Sequence, residues 1–249
     1  MRPWYETSFK TDYLDRYPHR DEEEARLEIE AVIALIGPAR DEPILDLGCG
    51  AGRHLIALCA AGYHQLAGLD LSEELLAIAS LRTREAGCEG IEFTHADMRR
   101  IPYEKRFGTI LSMFTTFGYF ETDEQDAEVL RAAHGALRPR GSLLIDTIAR
   151  TSTIAHLVPE EERQQDGEHV KIRRRLSEDG KRVEKVTRVD SIDGESIYRE
   201  SVRLYTPDEL RGMFQAEGFV DIRTWGSLRG EPVGPTSPRL VVAGRREAG

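Results

Sequence analysis

Apolar residues in the first 150 positions alternate between two spacings. Leu27, Ile29, Val32, Ile33 and Ile36 recur at helical intervals, and Gly37-Pro38 stops the run. Asp21 precedes it as a helix cap, and Glu22 to Glu24 crowd the first turn, where the positive helix end favours acids. Residues 44–47, ILDL, then read as a strand, and Gly52–Ala61 as a helix ended by Gly62. HQLAGLD (64–70) is the next strand. SEELLAIASLRTREAG (72–87) is a helix with Ser72 as its cap. IEFTHAD (91–97) and FGTILSMF (107–114) are strands. The next helix, from 122, opens on a capping box of Thr122 and Gln125, and SLLIDTI (142–148) follows as a strand.

Strands that alternate with helices need crossover connections, so they form a parallel sheet with helices on both faces. Around Gly167 the alternation stops. Asp179-Gly180 and Asp193-Gly194 are hairpin signals flanked by residues of alternating polarity, which predicts antiparallel strands near 169–177, 182–191 and 196–205. A helix then starts at Thr206, with Pro207 in its first position and Glu209 closing a second capping box. VDIRTWG (220–226) and RLVVAGR (239–245) end the pattern as strands. The predicted fold is α/β and doubly wound: a mostly parallel seven-stranded sheet with an inserted three-stranded antiparallel sheet. The organisation expected is an N-terminal lid segment at 1–20, a core at 21–166 and 206–249, and the insert at 167–205.

Composition narrows the function. The 249 residues are 40% hydrophobic and 31% charged, which is a soluble globular profile. The net charge of −10 argues against non-specific nucleic-acid binding, which needs a basic footprint. No run approaches the roughly 18 apolar residues of a membrane span, and the N-terminus lacks the apolar core of a signal segment. Cys49, Cys59 and Cys88 are odd in number and fit no zinc spacing. Reduced thiols, a cytoplasmic location and no bound metal are the expectations.

The chemistry concentrates at ILDLGCGAGRH, residues 44–54. Gly48, Gly50 and Gly52 sit where a strand becomes a helix, and bare backbone there lets a ligand approach without meeting a Cβ. The dinucleotide fingerprint spaces its third glycine one residue later and seats a pyrophosphate. Asp46 would repel a pyrophosphate and attract a cation. Asp70, 20 residues beyond Gly50, stands where an acid accepts both ribose hydroxyls. Asp97 ends the third predicted strand, where its carboxylate accepts from an adenine amino group and the Met98 N–H faces a ring nitrogen. Three acids at successive strand ends describe an adenosine with a cationic appendage and no phosphate.

With those residues in place, ILDLGCGAGRH, LAGLDLS, THADMRRIP and ALRPRGSLLIDT resemble the successive motifs of class I S-adenosylmethionine (SAM)-dependent methyltransferases. The resemblance covers about residues 20–150 and the closing strands. The antiparallel segment and FTTFGYF (114–120) are similar to small-molecule methyltransferases of the amine and amino-sugar type, whose inserted sheet roofs the active site. Two departures stand out. FGTIL lacks the aspartate that commonly follows the phenylalanine, and RPRG replaces a lysine-proline-glycine-glycine turn. The resemblance implies SAM as cofactor, held by Tyr13, Arg20, Asp46, Gly48, Cys49, Gly50, Asp70, Leu71, Asp97, Met98 and Phe114.

Methyl transfer from a sulfonium is an in-line displacement in which positioning and exclusion of water do most of the work. An amine acceptor needs little base assistance, and a hydroxyl needs more. The expected acceptor is a small molecule with a nitrogen or oxygen nucleophile. Tyr17, His19 and Tyr119 are the candidates for contact with it, and the N-terminal aromatics, Thr115–Phe120, Arg150 and the insert are candidate linings. Tyr13 and Tyr17 either close over the cofactor or pack one helix face. His54 and His64 read as structural. The alternatives are a protein or RNA methyltransferase and a non-catalytic SAM-binding protein. A monomer or a homodimer fits the sequence equally.

Overall fold

The computed structural model describes residues 3–6, 22–165, 167–192 and 194–248. Tyr13, Tyr17, His19, Arg20 and the Asp21 cap lie outside them, as does most of the expected lid segment. A 3-10 turn, Trp4–Glu6, precedes α1 (Glu22–Ile36). The alternating region runs β1 (Ile44–Leu47), α2 (Arg53–Ala60), β2 (Leu66–Asp70), α3 (Glu73–Glu85), β3 (Glu92–His95), β4 (Phe107–Ser112), α4 (Asp123–Ala136) and β5 (Leu137–Ile148). After it come α5 (Arg150–Ala155), β6 (Glu160–Gln165), β7 (Glu168–Leu176), β8 (Arg182–Ser191) and β9 (Gly194–Arg203). The chain closes with α6 (Pro207–Ala216), β10 (Phe219–Trp225) and β11 (Arg239–Arg246).

Seven strands form one sheet in the order β10-β11-β5-β4-β1-β2-β3. β1 pairs in parallel with β2 and with β4, so the strand order reverses at β1 and opens a crevice at the carboxyl ends of the strands. β11 enters antiparallel between β5 and β10. The two-residue period of a strand divides the core. Leu45 and Leu47 join the cluster that includes Phe107, Leu130, Leu210 and Phe214. Ile44 joins the cluster of Ala25, Ile29, Val32, Leu55 and Leu58 on the opposite face. Ala25, Ile29 and Val32 are the buried residues of α1, whereas Leu27 is 52% exposed. Ser72 caps α3, and both capping boxes form as the side chains require.

Two expectations are corrected. The inserted sheet has four strands, β6-β7-β8-β9, and begins at Glu160. β6 reads EEERQQ, with no apolar alternation, because an edge strand needs only a neighbour for its backbone. The cysteines are not three free thiols. Cys59 and Cys88 are joined by a disulfide, with Cα atoms 6.0 Å apart, and Cys49 is the free cysteine among the described residues. The pair is invisible in spacing because β2 carries the chain away and α3 brings it back between the two positions. No helix among the described residues is long and apolar enough to cross a membrane.

Candidate active site

A cavity of about 600 Å³ opens over the carboxyl ends of β1, β2 and β4. Its floor is the loop from Gly48 to Gly52, held down by the Gly48 N–H, which donates to the Leu69 carbonyl at 2.7 Å, and by the Cys49 N–H, which donates to the same carbonyl at 3.1 Å. Gly48, Gly50 and Gly52 have φ of 78°, 51° and 81°, a left-handed region that favours glycine. They serve different ends. A Cβ on Gly48 would lie 2.2 Å from the Thr116 Cγ2, whereas one on Gly50 would meet nothing within 4 Å. Gly48 is therefore a close-packing glycine, and Gly50 leaves backbone bare toward the cavity. Gly48→Ala is expected to cost at least about 2 kcal/mol, from left-handed strain and overpacking together. Adding Thr116→Ser should recover only the overpacking part, as read by denaturant melts of the two variants. Equal stability of Gly48→Ala and the parent would contradict this packing.

Asp70 ends β2 and lines the cavity. Its Oδ2 accepts from the Gly50 N–H and its Oδ1 from the Ser72 N–H, both at 2.8 Å. Burial raises its pKa, and those backbone donors work against the rise. Leu71, Met98, Cys49 and Phe114 line the same cavity. Asp97 also lines it, two residues past the end of β3, where the Arg99 guanidinium holds both of its oxygens at 2.6–3.1 Å. Partial burial pushes the Asp97 carboxyl up, but the Arg99 hydrogen bonds outweigh that and hold it below the usual range.

Asp46 is placed differently from the expectation. Strand alternation sends it to the face of Ile44, beneath α1 and α2, so it is buried and is not part of the cavity lining. Its Oδ2 has no hydrogen-bond partner among the described residues. Burial drives its pKa up to about 6; nearby His54 and Arg53 pull it down, and Asp70 adds repulsion. Beside it, Glu28 forms an ion pair with the Arg53 guanidinium at 2.9 Å and pairs with the His54 Nε2 at 2.8 Å, which is the structural role expected of His54.

Of the N-terminal aromatics expected as linings, Tyr5 reaches the cavity; other lining residues, Glu6 among them, carry no sequence signal of their own. Tyr5 and Glu6 reach the cavity from the N-terminal turn, where Trp4 packs on Tyr119 and Tyr5 on Phe120, with ring centroids 4.9 and 5.2 Å apart. Arg53 is the exception: as the first residue of α2 it follows the glycine loop directly, and that position marks it. Phe114 and Thr115 have φ of 56° and 65°, and the Phe114 N–H donates to the Asp146 Oδ2 at 3.1 Å. Asp146, fully buried, also pairs with Arg239. The Arg53 and Arg239 guanidinium carbons lie 4.8 and 5.1 Å from the centre of the Phe114 ring. Consecutive left-handed non-glycine residues are a strained turn of the kind that clusters at functional sites.

A second cavity, of about 450 Å³, lies between this turn and the inserted sheet. Phe114 and Tyr119 line both cavities. The insert is fastened to the same loop: the Arg182 Nη2 donates to the carbonyls of Gly118 and Tyr119, and the Arg203 N–H donates to the Gly118 carbonyl at 2.8 Å.

The strand order, the glycine loop and the acid at the end of β2 together form one crevice at the carboxyl ends of the strands. Residues 44–141 match the family described as "Methyltransferase domain". Among curated proteins it is 34% identical over 116 residues to a demethylmenaquinone methyltransferase of Clavibacter sepedonicus, covering 46% of this chain and 44% of the relative. It is 30% identical over 103 residues to the dTDP-3-amino-3,4,6-trideoxy-alpha-D-glucopyranose N,N-dimethyltransferase of Streptomyces venezuelae, covering 41% of each chain. The matched stretches thus span less than half the length of these relatives. Over nearly its whole length the fold is similar to an S-adenosylmethionine-dependent methyltransferase of Clostridium acetobutylicum ATCC 824, with a TM-score of 0.79, 16% identity and coverage of 95% and 96%.

Proposed function

We propose that the chain transfers a methyl group from SAM to a nitrogen or oxygen of a small-molecule acceptor. The observation that carries this reading is that two cavities meet at one aromatic pair, Phe114 and Tyr119. In-line displacement needs such a layout: the donor on one side, the acceptor on the other, and water kept out between them. The bare Gly50 backbone and the unpartnered Asp46 oxygen both suit a cationic adenosine derivative above the loop. The bound cofactor supplies an electrophilic methyl carbon. Asp70 accepts from the ribose hydroxyls, Asp97 and the Met98 N–H address the adenine, and the Asp46 charge acts from below the loop. Tyr119 faces the acceptor. An amine needs no base here, and the names of the matched relatives, an amino-sugar N,N-dimethyltransferase among them, suit a small acceptor. The reading keeps the protein in the cytoplasm, as a monomer or homodimer; a Cys59–Cys88 bond there is exposed to continual reduction.

The Asp46 environment adds a pH signature. Its raised pKa means that the folded protein holds this proton longer than the unfolded chain does. From this group, stability without cofactor is therefore lost as pH rises from about 4 to about 6. A cation above the loop favours the carboxylate. Affinity for SAM is expected to rise between pH 5 and pH 7, by up to roughly tenfold from this one group. Calorimetry across that range checks it, with Asp46→Asn flattening the profile; a flat profile in the unsubstituted protein contradicts the role.

The deciding experiment is turnover of SAM to S-adenosylhomocysteine with a panel of small amines and hydroxyl compounds, beside protein and RNA substrates. Turnover confined to small molecules supports the reading. Failure to bind S-adenosylhomocysteine overturns it.

A further inference from the structure

The turn where the two cavities meet is held in a conformation that its own residues disfavour. Phe114 and Thr115 lie just past the end of β4, with φ of 56° and 65°. Each such left-handed residue with a Cβ lowers the population of a turn by roughly tenfold. Both are tied to one residue of the neighbouring strand. The Phe114 N–H donates to the Asp146 Oδ2 at 3.1 Å, and the Thr115 N–H donates to the Asp146 carbonyl at 2.9 Å. Asp146 stands on β5 opposite Val241 of β11, so Arg239 is its diagonal neighbour on the same face. The Arg239 guanidinium donates to Oδ1 through Nε at 2.6 Å and to Oδ2 through Nη2. Only a carboxylate serves this arrangement. Donors meet both of its oxygens, and an amide would turn its own NH2 against one of them.

The same guanidinium also reaches the ring. Its carbon lies 5.1 Å from the centre of the Phe114 ring, and that of Arg53 lies 4.8 Å away, both within cation–π range. Arg53 lines the first cavity and Arg239 the second. Phe114, which lines both, therefore has its backbone N–H held by Asp146 and its ring flanked by one arginine of each cavity. The packing of the sheet does not call for an ion pair here. β5 and β11 bring Leu144, Val241 and Ala243 to the cluster on this face, and apolar residues of similar volume often stabilise a buried site as well as an ion pair does.

Resting on the reading of the two cavities as cofactor and acceptor sites, we infer that Asp146 and Arg239 are positioning residues for methyl transfer: they hold the strained Phe114 turn so that its ring borders the passage the methyl group crosses. Asp146 lines neither cavity and acts through Phe114. Without the pair the turn relaxes and the passage loses its shape, while Asp70 and Asp97 keep their places beside the ribose and the adenine.

The test compares two cofactor analogues on the full chain by calorimetry. S-adenosylhomocysteine lacks the transferable methyl group. Sinefungin has an amine-bearing carbon in place of the sulfur, and its amine fills the position of that methyl. Asp146→Asn is expected to weaken sinefungin by at least about fivefold and S-adenosylhomocysteine by less than about twofold. Arg239→Lys keeps the charge but loses the planar fork, so it should shift the ratio in the same direction by less. It carries the test if Asp146→Asn fails to fold. Thr115→Gly relieves the strain at one of the two positions, and adding it to either variant should recover sinefungin affinity by about threefold or more. A loss caused only by altered charge near the amine would not respond to that glycine. Equal weakening of both analogues, no weakening of sinefungin, or no recovery on adding Thr115→Gly overturns the inference while the methyltransferase reading stands. So does a parent protein that binds S-adenosylhomocysteine but not sinefungin, because the passage is then closed. Failure of the parent to bind S-adenosylhomocysteine overturns the methyltransferase reading itself.

Discussion

Replacing Asp70 with alanine is expected to weaken binding of SAM and of S-adenosylhomocysteine by at least about tenfold. Hydrogen bonds to a charged group contribute roughly 1.5–3 kcal/mol each, and 1.4 kcal/mol is a factor of ten. In the proposed reading the ribose contacts account for only part of the expected loss. The Asp70 carboxylate also takes the N–H of Gly50 and that of Ser72, so it ties the glycine loop to the start of α3. Alanine leaves both donors without that acceptor and frees the loop to move. Asp70→Asn keeps one acceptor oxygen and should fall between the two. Calorimetry on variants that retain the parent's circular dichroism measures this directly. Unchanged affinity in a folded Asp70→Ala protein would remove the cofactor assignment.

The second large effect concerns the inserted sheet. Replacing residues 160–201 with a short linker is expected to leave cofactor binding largely intact and to abolish methyl transfer. The first cavity is built by the seven-stranded sheet, its loops and helices and the N-terminal turn, and none of its lining comes from β6 to β9. The second cavity loses its roof: Glu161, Arg174, Val183, Lys185 and Glu200 all go. The cut must stop short of Arg203 and Tyr205, which belong to the core. Arg203 is 3% exposed and pairs with Asp123 and Glu209, and the Tyr205 hydroxyl donates to Asp126 at 2.7 Å. A finer variant is Arg182→Met, which removes the donor to the Gly118 and Tyr119 carbonyls while keeping the apolar stem. It should lower turnover with little change in cofactor affinity. Full activity in the shortened protein would show that the insert takes no part in acceptor binding.

Local physical chemistry accounts for what was legible without a structure. Helix caps are decided by residues three apart, so Ser72, Thr122 with Gln125, and Thr206 with Glu209 could be read directly. Strand and helix periods are short, so the alternation and the seven strands of the main sheet followed. Gly48, Gly50 and Asp70 were readable because a strand turning into a helix, and a second strand ending beside it, confine them to one crevice. β6 was not readable: its six polar residues form a strand only because β7 offers a backbone to pair with. The disulfide depended on a helix returning the chain.

Asp46 shows where the boundary falls. The sequence alone determined that an acid stands at the end of the first strand, before a bare glycine loop. Only the tertiary structure decided which face of the sheet takes it, and burial beneath α1 and α2 makes it a charge acting from below the loop, outside the lining. The second cavity is the stronger case. Phe114 is held by Asp146, 32 residues on; Asp146 pairs with Arg239, 93 residues further; Arg182 reaches back 64 residues to the Gly118 carbonyl. No local preference links such positions. They meet because two sheets bury apolar faces and bring polar edges together around the second cavity.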